Sequence, residues 1–338
     1  MLTSANPRAE YVGPARSTSR FLNDKPLVEA ALAAETEVRL IPWQRVPAGD
    51  GRIRFLESEL KKGPVTLRTS PSAGGHGHEV VTEQAQISVS RLAHGDSQLM
   101  AAPYLATHLP VNVGACVFPD GGVTLHTPSV QLIGIEGLTQ FDLGYCGNDF
   151  AAVKNLSEAA LDNLESMGRR VGRWMHSRGF VGAFGIDALV DGDDEVLFVE
   201  VNPRFQGSTP VSAELDASVD APDIMLDHLL ASLGCASYET PPLRELVKRQ
   251  PDRAFVVCYN LTDEAVYLDR PPPEFPAVRA RLLPPTDVAV HRNSKLFDLE
   301  FDASVTADGR SLTPETQTIV DAIWRAVLDS GVGAAASA

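Results

Sequence analysis

The strongest helical period in the chain runs from Ser157 to Arg178, where Leu161, Leu164, Met167, Val171, Trp174 and Met175 recur on one face. Ser157 is a candidate N-cap and Gly179 a stop, so the spacing predicts an amphipathic helix between them. The pattern then changes. Gly182 to Val190 and Glu195 to Asn202 are rich in β-branched and aromatic residues and flank Asp191-Gly192-Asp193-Asp194, which predicts a hairpin. A second hairpin is predicted from VNVGACV through Asp120-Gly121-Gly122 to VTLHTPSVQLI. Further helices are predicted from Lys25 to about Ala34 and from Pro222 to Leu233, the latter with Pro222 at its first position and Gly234 at its end. A last helix opens at Thr313-Pro314 and carries Ile319, Val320, Ile323, Trp324, Val327 and Leu328. Between them, Pro241-Pro242 and Pro271-Pro272-Pro273 punctuate a region with strands at Ala254–Asn260 and Val288–Arg292. The mixture is α+β.

The first hairpin concentrates the chemistry. If Val190 pairs with Glu195, Asp187 lies opposite Phe198, and Asp187, Glu200, Asn202 and Arg204 share one face. Phe184, Ile186, Leu197, Val199 and Val201 then share the other, and a slip of one residue would part the two acids. Glu200 lies between Val199 and Val201, an apolar setting unlike that of a solvated surface acid. Two carboxylates and an amide oxygen are hard ligands that suit Mg²⁺ better than Zn²⁺, and Mg²⁺ is commonly shared with substrate phosphates. Arg204 adds a planar cationic fork suited to phosphate or carboxylate oxygens.

Gly185-Ile186-Asp187 followed by Glu200-Val201-Asn202-Pro203-Arg204 resembles the metal signature of the ATP-grasp superfamily, in particular its carboxylate-amine ligases. The resemblance covers roughly residues 21 to 234. It implies two α+β lobes gripping ATP, with Asp187, Glu200 and Asn202 as ligands of Mg²⁺, replaceable by Mn²⁺, and Arg204 as the catalytic residue that steadies the transferring phosphoryl group. Upstream, Asn23-Asp24-Lys25 resembles the family's Asp-Lys pair, with Lys25 reaching a phosphate. Arg68, in Gly63-Pro64-Val65-Thr66-Leu67-Arg68, stands where the family presents a second phosphate-binding Lys, and keeps the charge on a bulkier, forked group. Ser72-Ala73-Gly74-Gly75-His76-Gly77-His78 resembles the phosphate lid, its glycines letting backbone N–H groups approach phosphates. The resemblance places adenine against the backbone of Pro103-Tyr104-Leu105, ribose near His108, and substrate near Gln131, Arg204, Gln206, Gly207 and Ser208.

The implied division is an arm over 1–20, a first lobe over 21–110, a second over 111–234, an appended C-terminal lobe over 235–332 and a disordered tail over 333–338. Only residues 1–20 precede the Lys25 helix, where the family usually has a Rossmann-like domain. Three replacements stay open: the C-terminal lobe, a partner chain or homodimer, or a substrate small enough for two lobes to hold.

Composition narrows the function classes. With 338 residues and 44% apolar content the chain can bury a substantial core. A net charge of −15 argues against nucleic acid held on a broad basic surface. No run approaches the about 20 apolar residues of a membrane span, and the N-terminus has no apolar signal core. The four cysteines, Cys116, Cys146, Cys235 and Cys258, lack C-x-x-C spacing, so a reducing cytoplasm is expected. The leading reading is an ADP-forming ligase that joins a small carboxylic acid or amino acid to an amine through an acyl phosphate. Intramolecular cyclisation by the same activation, a small acid such as bicarbonate as first acceptor, and a degenerate nucleotide-binding scaffold are the alternatives.

Overall fold

The computed structural model describes residues 13–49, 51–69, 75, 77–95, 98–267, 278–281, 284 and 288–331. In chain order the first elements are α1 (Arg16–Leu22), α2 (Lys25–Glu35), β1 (Gln44–Arg45), α3 (Gly51–Leu60), β2 (Val65–Thr69), β3 (His78–Val81), α4 (Gln84–Val89) and β4 (Leu99–Pro103). Asp24 caps α2 by accepting from the Leu27 N–H, and Pro26 in the first turn sacrifices an N–H that has no helical partner there. The strands form an antiparallel sheet in the order β1-β4-β2-β3. Leu56 of α3 and Ile87 of α4 pack on Val65, Leu67, Leu99 and Ala101 to make its core.

Next come β5 (Leu109–Val117), β6 (Val123–Leu125), β7 (Ser129–Ile133), β8 (Tyr145–Asp149), α5 (Glu158–Ser177), β9 (Gly182–Val190) and β10 (Val196–Asn202). They are followed by α6 (Thr209–Ser218), α7 (Ile224–Ser232), α8 (Leu243–Arg249), β11 (Ala254–Tyr259), β12 (Val278–Arg281), β13 (Lys295–Phe301) and α9 (Pro314–Gly331). The described strands build a nine-stranded antiparallel sheet in the order β10-β9-β5-β7-β8-β11-β13-β12, with β6 also on β5. Ser157 caps α5 by accepting from the Ala160 N–H at 3.0 Å. The predicted stripe of α5 packs Leu164, Met167, Val171, Trp174 and Met175 against Val113, Ala115, Phe184 and Ile186 of the sheet.

Several features differ from the sequence expectation. VTLHTPSVQLI is two strands, because His126 and Thr127 turn inward to the buried Asp216 and interrupt the ladder. The helix expected from Pro222 starts at Ile224, where Asp223 accepts from the Met225 and Leu226 N–H groups. Around Val288–Arg292 the described structure has one bridge, Val266 to Val290, instead of a strand. The lobe boundaries also shift. Leu22, Val28 and Leu32 of α1 and α2 are buried with Val113 and Phe198 of the large sheet, so these helices belong to that body. Beyond residue 235, β11 pairs with β8, Ala254 opposite Asp149, and carries the same sheet outward.

Candidate active site

The hairpin of β9 and β10 has a register that local pattern does not specify. Val190 pairs with Val196, one residue beyond the expected Glu195, and Phe198 pairs with Ala188. Continued regularly, that slip would put Asp187 and Glu200 on opposite faces. A β-bulge between Phe198 and Glu200 restores them: Val199 is the extra residue and Glu200 pairs directly with Asp187. The cause is tertiary. Phe198 is 1% exposed in the core, its N–H donates to the Arg39 carbonyl at 2.8 Å, and Leu40 bridges to it in parallel. Burying Phe198 turns Leu197 away from the core, paired with Leu189, and Val199 lines the cleft, so neither shares a face with Phe184, Ile186 and Val201 as the alternation predicts.

The site stands on this ladder. Asp187 Oδ1 accepts from Asn112 Nδ2 at 2.7 Å, Gln131 Nε2 at 2.9 Å and Gln206 Nε2 at 3.1 Å, and Oδ2 accepts from Asn202 Nδ2 at 3.1 Å. Asn202 Nδ2 also donates to Glu200 Oε1 at 3.2 Å, and Lys25 Nζ is 2.5 Å from Glu200 Oε2. Burial and the facing Glu200 charge raise the pKa of Asp187. Burial works against the charged form of Glu200 too, but the Lys25 ammonium outweighs it and holds that pKa below the usual range. Among the described residues no three His, Cys, Asp or Glu side chains cluster as a self-sufficient metal site. Two adjacent half-buried carboxylates and one amide nevertheless fit Mg²⁺, which completes its shell with water and phosphate oxygens. Asn202 could ligate a cation only through Oδ1, which accepts from Arg204 at 3.0 Å while Nδ2 faces the two acids, so its amide would have to turn over.

A cleft of about 320 Å³ runs between the two sheets past these residues. Lys25 lines it and Glu29, one turn on along α2, pairs with Arg68 of the lining, while Val28 and Leu32 face the core. Arg68 is 1% exposed; its guanidinium meets Glu29 at 2.7 Å and lies 4.0 Å from the Trp43 ring centroid. A lysine could not stack and fork in this way. His78 pairs with Arg68 across β2 and β3 and lines the cleft, and burial, with Lys25 nearby, pushes its pKa down to about 4. Gly75 and Gly77 have φ of +84° and +83°. A Cβ on Gly75 would lie 2.5 Å from the Leu143 carbonyl oxygen, so Gly75 itself rests on the 143–144 backbone. Val80 N–H donates to Asp142 at 2.8 Å beside it. Gly74 and His76 lie outside the described residues.

At the other end Pro103, Tyr104 and Leu105 line the cleft in the linker between the sheets. His108 is not among the lining residues; its carbonyl accepts from Arg310. Gln131, Arg204, Gln206, Gly207 and Ser208 all line the cleft. Ser208 Oγ donates to Asn112 Oδ1 at 2.7 Å, and Gly207 lies against the Tyr145 hydroxyl. Sequence reasoning missed Trp43, Asn112, Tyr145, Asn148, Tyr259 and Arg310. Asn112 had a signal, being a polar residue inside the apolar run VNVGACV. The others carry none locally.

This architecture is the ATP-grasp fold: an antiparallel lobe and a larger antiparallel sheet facing each other over one cleft. Among solved structures, the chain is similar to the biotin carboxylase–β,γ-ATP complex from Campylobacter jejuni (TM-score 0.65, 18% identity, 90% of this chain and 68% of that one). It is similar to carboxyaminoimidazole ribonucleotide synthase from Aspergillus clavatus complexed with ATP (TM-score 0.66, 16% identity, 96% and 78%). A third is the biotin carboxylase domain dimer of the 2-oxoglutarate carboxylase from Hydrogenobacter thermophilus, with MgADP, ADP and bicarbonate (TM-score 0.64, 15% identity, 97% and 70%). No protein-family profile and no curated protein matches the sequence.

Proposed function

We propose that the protein is an ATP-grasp ligase that uses ATP and Mg²⁺, or Mn²⁺ in its place, to join a small carboxylic acid to an amine through an acyl phosphate, releasing ADP and phosphate. The observation that carries this reading is the direct pairing of Asp187 with Glu200 in a cleft that also holds Lys25, Arg68 and Arg204. The structures with this fold include complexes with ATP and MgADP, which supports the same nucleotide here.

Asp187, Glu200 and Asn202 would hold the cation, which supplies charge neutralisation at the phosphate oxygens when bound. The side chains do the rest by position and charge. Lys25 and Arg68 line the cleft as cations for the phosphates, and Arg204, whose fork bonds Asn202 Oδ1 and the Phe205 carbonyl, lies beside the candidate cation ligands, where the acid would receive the phosphoryl group. The amides of Asn112, Gln131 and Gln206 all donate to Asp187 Oδ1 and fix that carboxylate, so Oδ2 would face the cation once the Asn202 amide turns over. No side chain is needed as a covalent nucleophile.

The test is ADP release from Mg-ATP with pooled acids and pooled amines, each alone and in pairs. Release that requires a pair, with a product lighter than the sum by one water, is expected. Release with one organic compound alone would indicate cyclisation, and nucleotide binding without any release across the pools would overturn the ligase reading. A Glu200→Gln variant, folded by circular dichroism, is expected to lose at least about 10²–10³-fold in ADP release. A second reading takes bicarbonate as the acid, favoured by the carboxylases among the similar structures and by the bicarbonate in one of them. ADP release that depends on bicarbonate and on no organic acid would select it.

A further inference from the structure

The segment between β13 and α9 delivers an arginine to the linker that joins the two sheets. Asp149, buried at the end of β8, accepts from the Val305 N–H at 2.7 Å, the Ser304 hydroxyl at 2.8 Å and the Thr306 N–H at 3.2 Å. Thr306 Oγ1 accepts from the Gly309 N–H at 2.9 Å, and Asp308 accepts from the Arg310 and Ser311 N–H groups at 2.8 and 2.9 Å. Gly309, at φ +71°, is pressed so closely on β7 that a Cβ would lie 2.5 Å from the Gln131 carbonyl oxygen, and its own carbonyl accepts from the Ile133 N–H. The turn is therefore rigid before Arg310 leaves it.

Arg310 spends its guanidinium on the linker. One terminal nitrogen donates to the carbonyls of Leu105 and His108 at 3.2 and 3.3 Å, the other approaches the Tyr104 hydroxyl at 3.4 Å, and the group lies 5.4 Å from the Tyr104 ring centroid. Its Nε is buried, has no hydrogen-bond partner in the protein, and belongs to a side chain that lines the cleft. A buried N–H left without an acceptor is rare and is commonly completed by a ligand or water.

We propose that Arg310 is a positioning residue of the nucleotide end of the cleft: it fixes the Tyr104–His108 linker against which the base would lie. The inference rests on the nucleotide reading above and goes beyond it, since it makes the C-terminal segment part of base recognition. The Pro103 carbonyl and the Leu105 N–H, expected to meet a base edge, keep one orientation only while the linker is held. A lysine cannot span two carbonyls and a hydroxyl together.

The experiment is calorimetric titration of wild type, Arg310→Ala and Arg310→Lys with MgADP and MgGDP, with melting temperatures alongside. The expected result is MgADP binding weakened on the order of tenfold or more, a shrunken preference for ADP over GDP, and no rescue by lysine, with melting temperatures near wild type. Wild-type affinity in Arg310→Ala would overturn the proposal. So would weakened binding with intact base preference and full rescue by lysine, which would reduce Arg310 to a charge. If Arg310→Ala does not fold, Arg310→Lys decides between the same outcomes. A wild-type protein that binds neither nucleotide would instead remove the functional reading, and this inference with it.

Discussion

Lys25 Nζ lies 2.5 Å from Glu200 Oε2, joining the first residue of α2 to the edge strand β10. Their side chains are 14% and 21% exposed, so neither charge is fully hydrated. Replacing Lys25 by Met leaves Glu200 desolvated without its cation, and a cost of about 1–3 kcal/mol is expected in urea unfolding. The efficiency of ATP cleavage, kcat/KM, is expected to fall by about 10²–10³-fold, because the same ammonium faces the phosphate end of the cleft. Unchanged kcat/KM in a folded Lys25→Met variant would remove it from the phosphate site.

Phe198 anchors the bulge that aligns the two acids. Truncating it to Ala opens a cavity beneath β10 and is expected to cost about 3–5 kcal/mol. Chemical denaturation reads that loss. Nucleotide binding should weaken beyond what the unfolded fraction explains, since the clasp at Arg39–Ile41 holds only the backbone of residue 198 and the shortened side chain no longer anchors it in the core; binding that merely tracks the folded fraction would show the bulge to be self-supporting.

His126 lies between two acids, its Nδ1 2.9 Å from Asp216 and its Nε2 3.3 Å from Asp227, with Thr124, Thr127 and Tyr238 bonded to the same carboxylates. Burial alone would depress its pKa, but the flanking carboxylates hold it up at about 9 against an ordinary 6.5. A folded pKa above the unfolded one contributes stability that is complete below about 6.5 and is lost as pH rises through about 9. Urea unfolding of wild type should weaken across that window. The His126→Gln variant should lack this component of the slope; an identical slope in both would assign it to other groups.

Gly75 carries two constraints, a φ of +84° and contact with the Leu143–Gly144 backbone. Gly75→Ala meets both a left-handed backbone penalty of about 1–2 kcal/mol and a clash. The chain at position 75 should lift from the 143–144 backbone with little change in global melting. The expected readout is slower coupled turnover and more ADP release per product formed, measured by parallel assays of ADP and product.

The sequence is legible where local chemistry decides structure. The α5 stripe, the Asp24 cap and the glycines of the β2–β3 loop can be read from neighbours a few residues apart. The pairing of Asp187 with Glu200 is legible only in part, since alternation suggests a shared face but the register depends on Phe198 being clasped from outside the hairpin. The membership of β11 in the large sheet had no local sign, because a strand's pattern does not name its neighbour. Arg310 and Trp43 became site residues through contacts made far along the chain, and an arginine in a turn looks like any solvated charge. Conversely, Arg68 stands where the resemblance expects a lysine, and its stacking on Trp43 and pairing with Glu29, both far along the chain, use the fork that a lysine lacks.

The placement of α1 and α2 on the large sheet bears on how the chain is made. Leu22, Val28 and Leu32 pack with Val113, Ile186 and Phe198, residues that leave the ribosome much later. During synthesis the amino-terminal helices therefore wait with an uncovered apolar face while the four-stranded lobe, whose core lies wholly between Val46 and Ala101, can close on its own. Chaperone dependence and aggregation of nascent chains should concentrate in that interval, and ease once β10 has emerged to take up Lys25 and Phe198's partners.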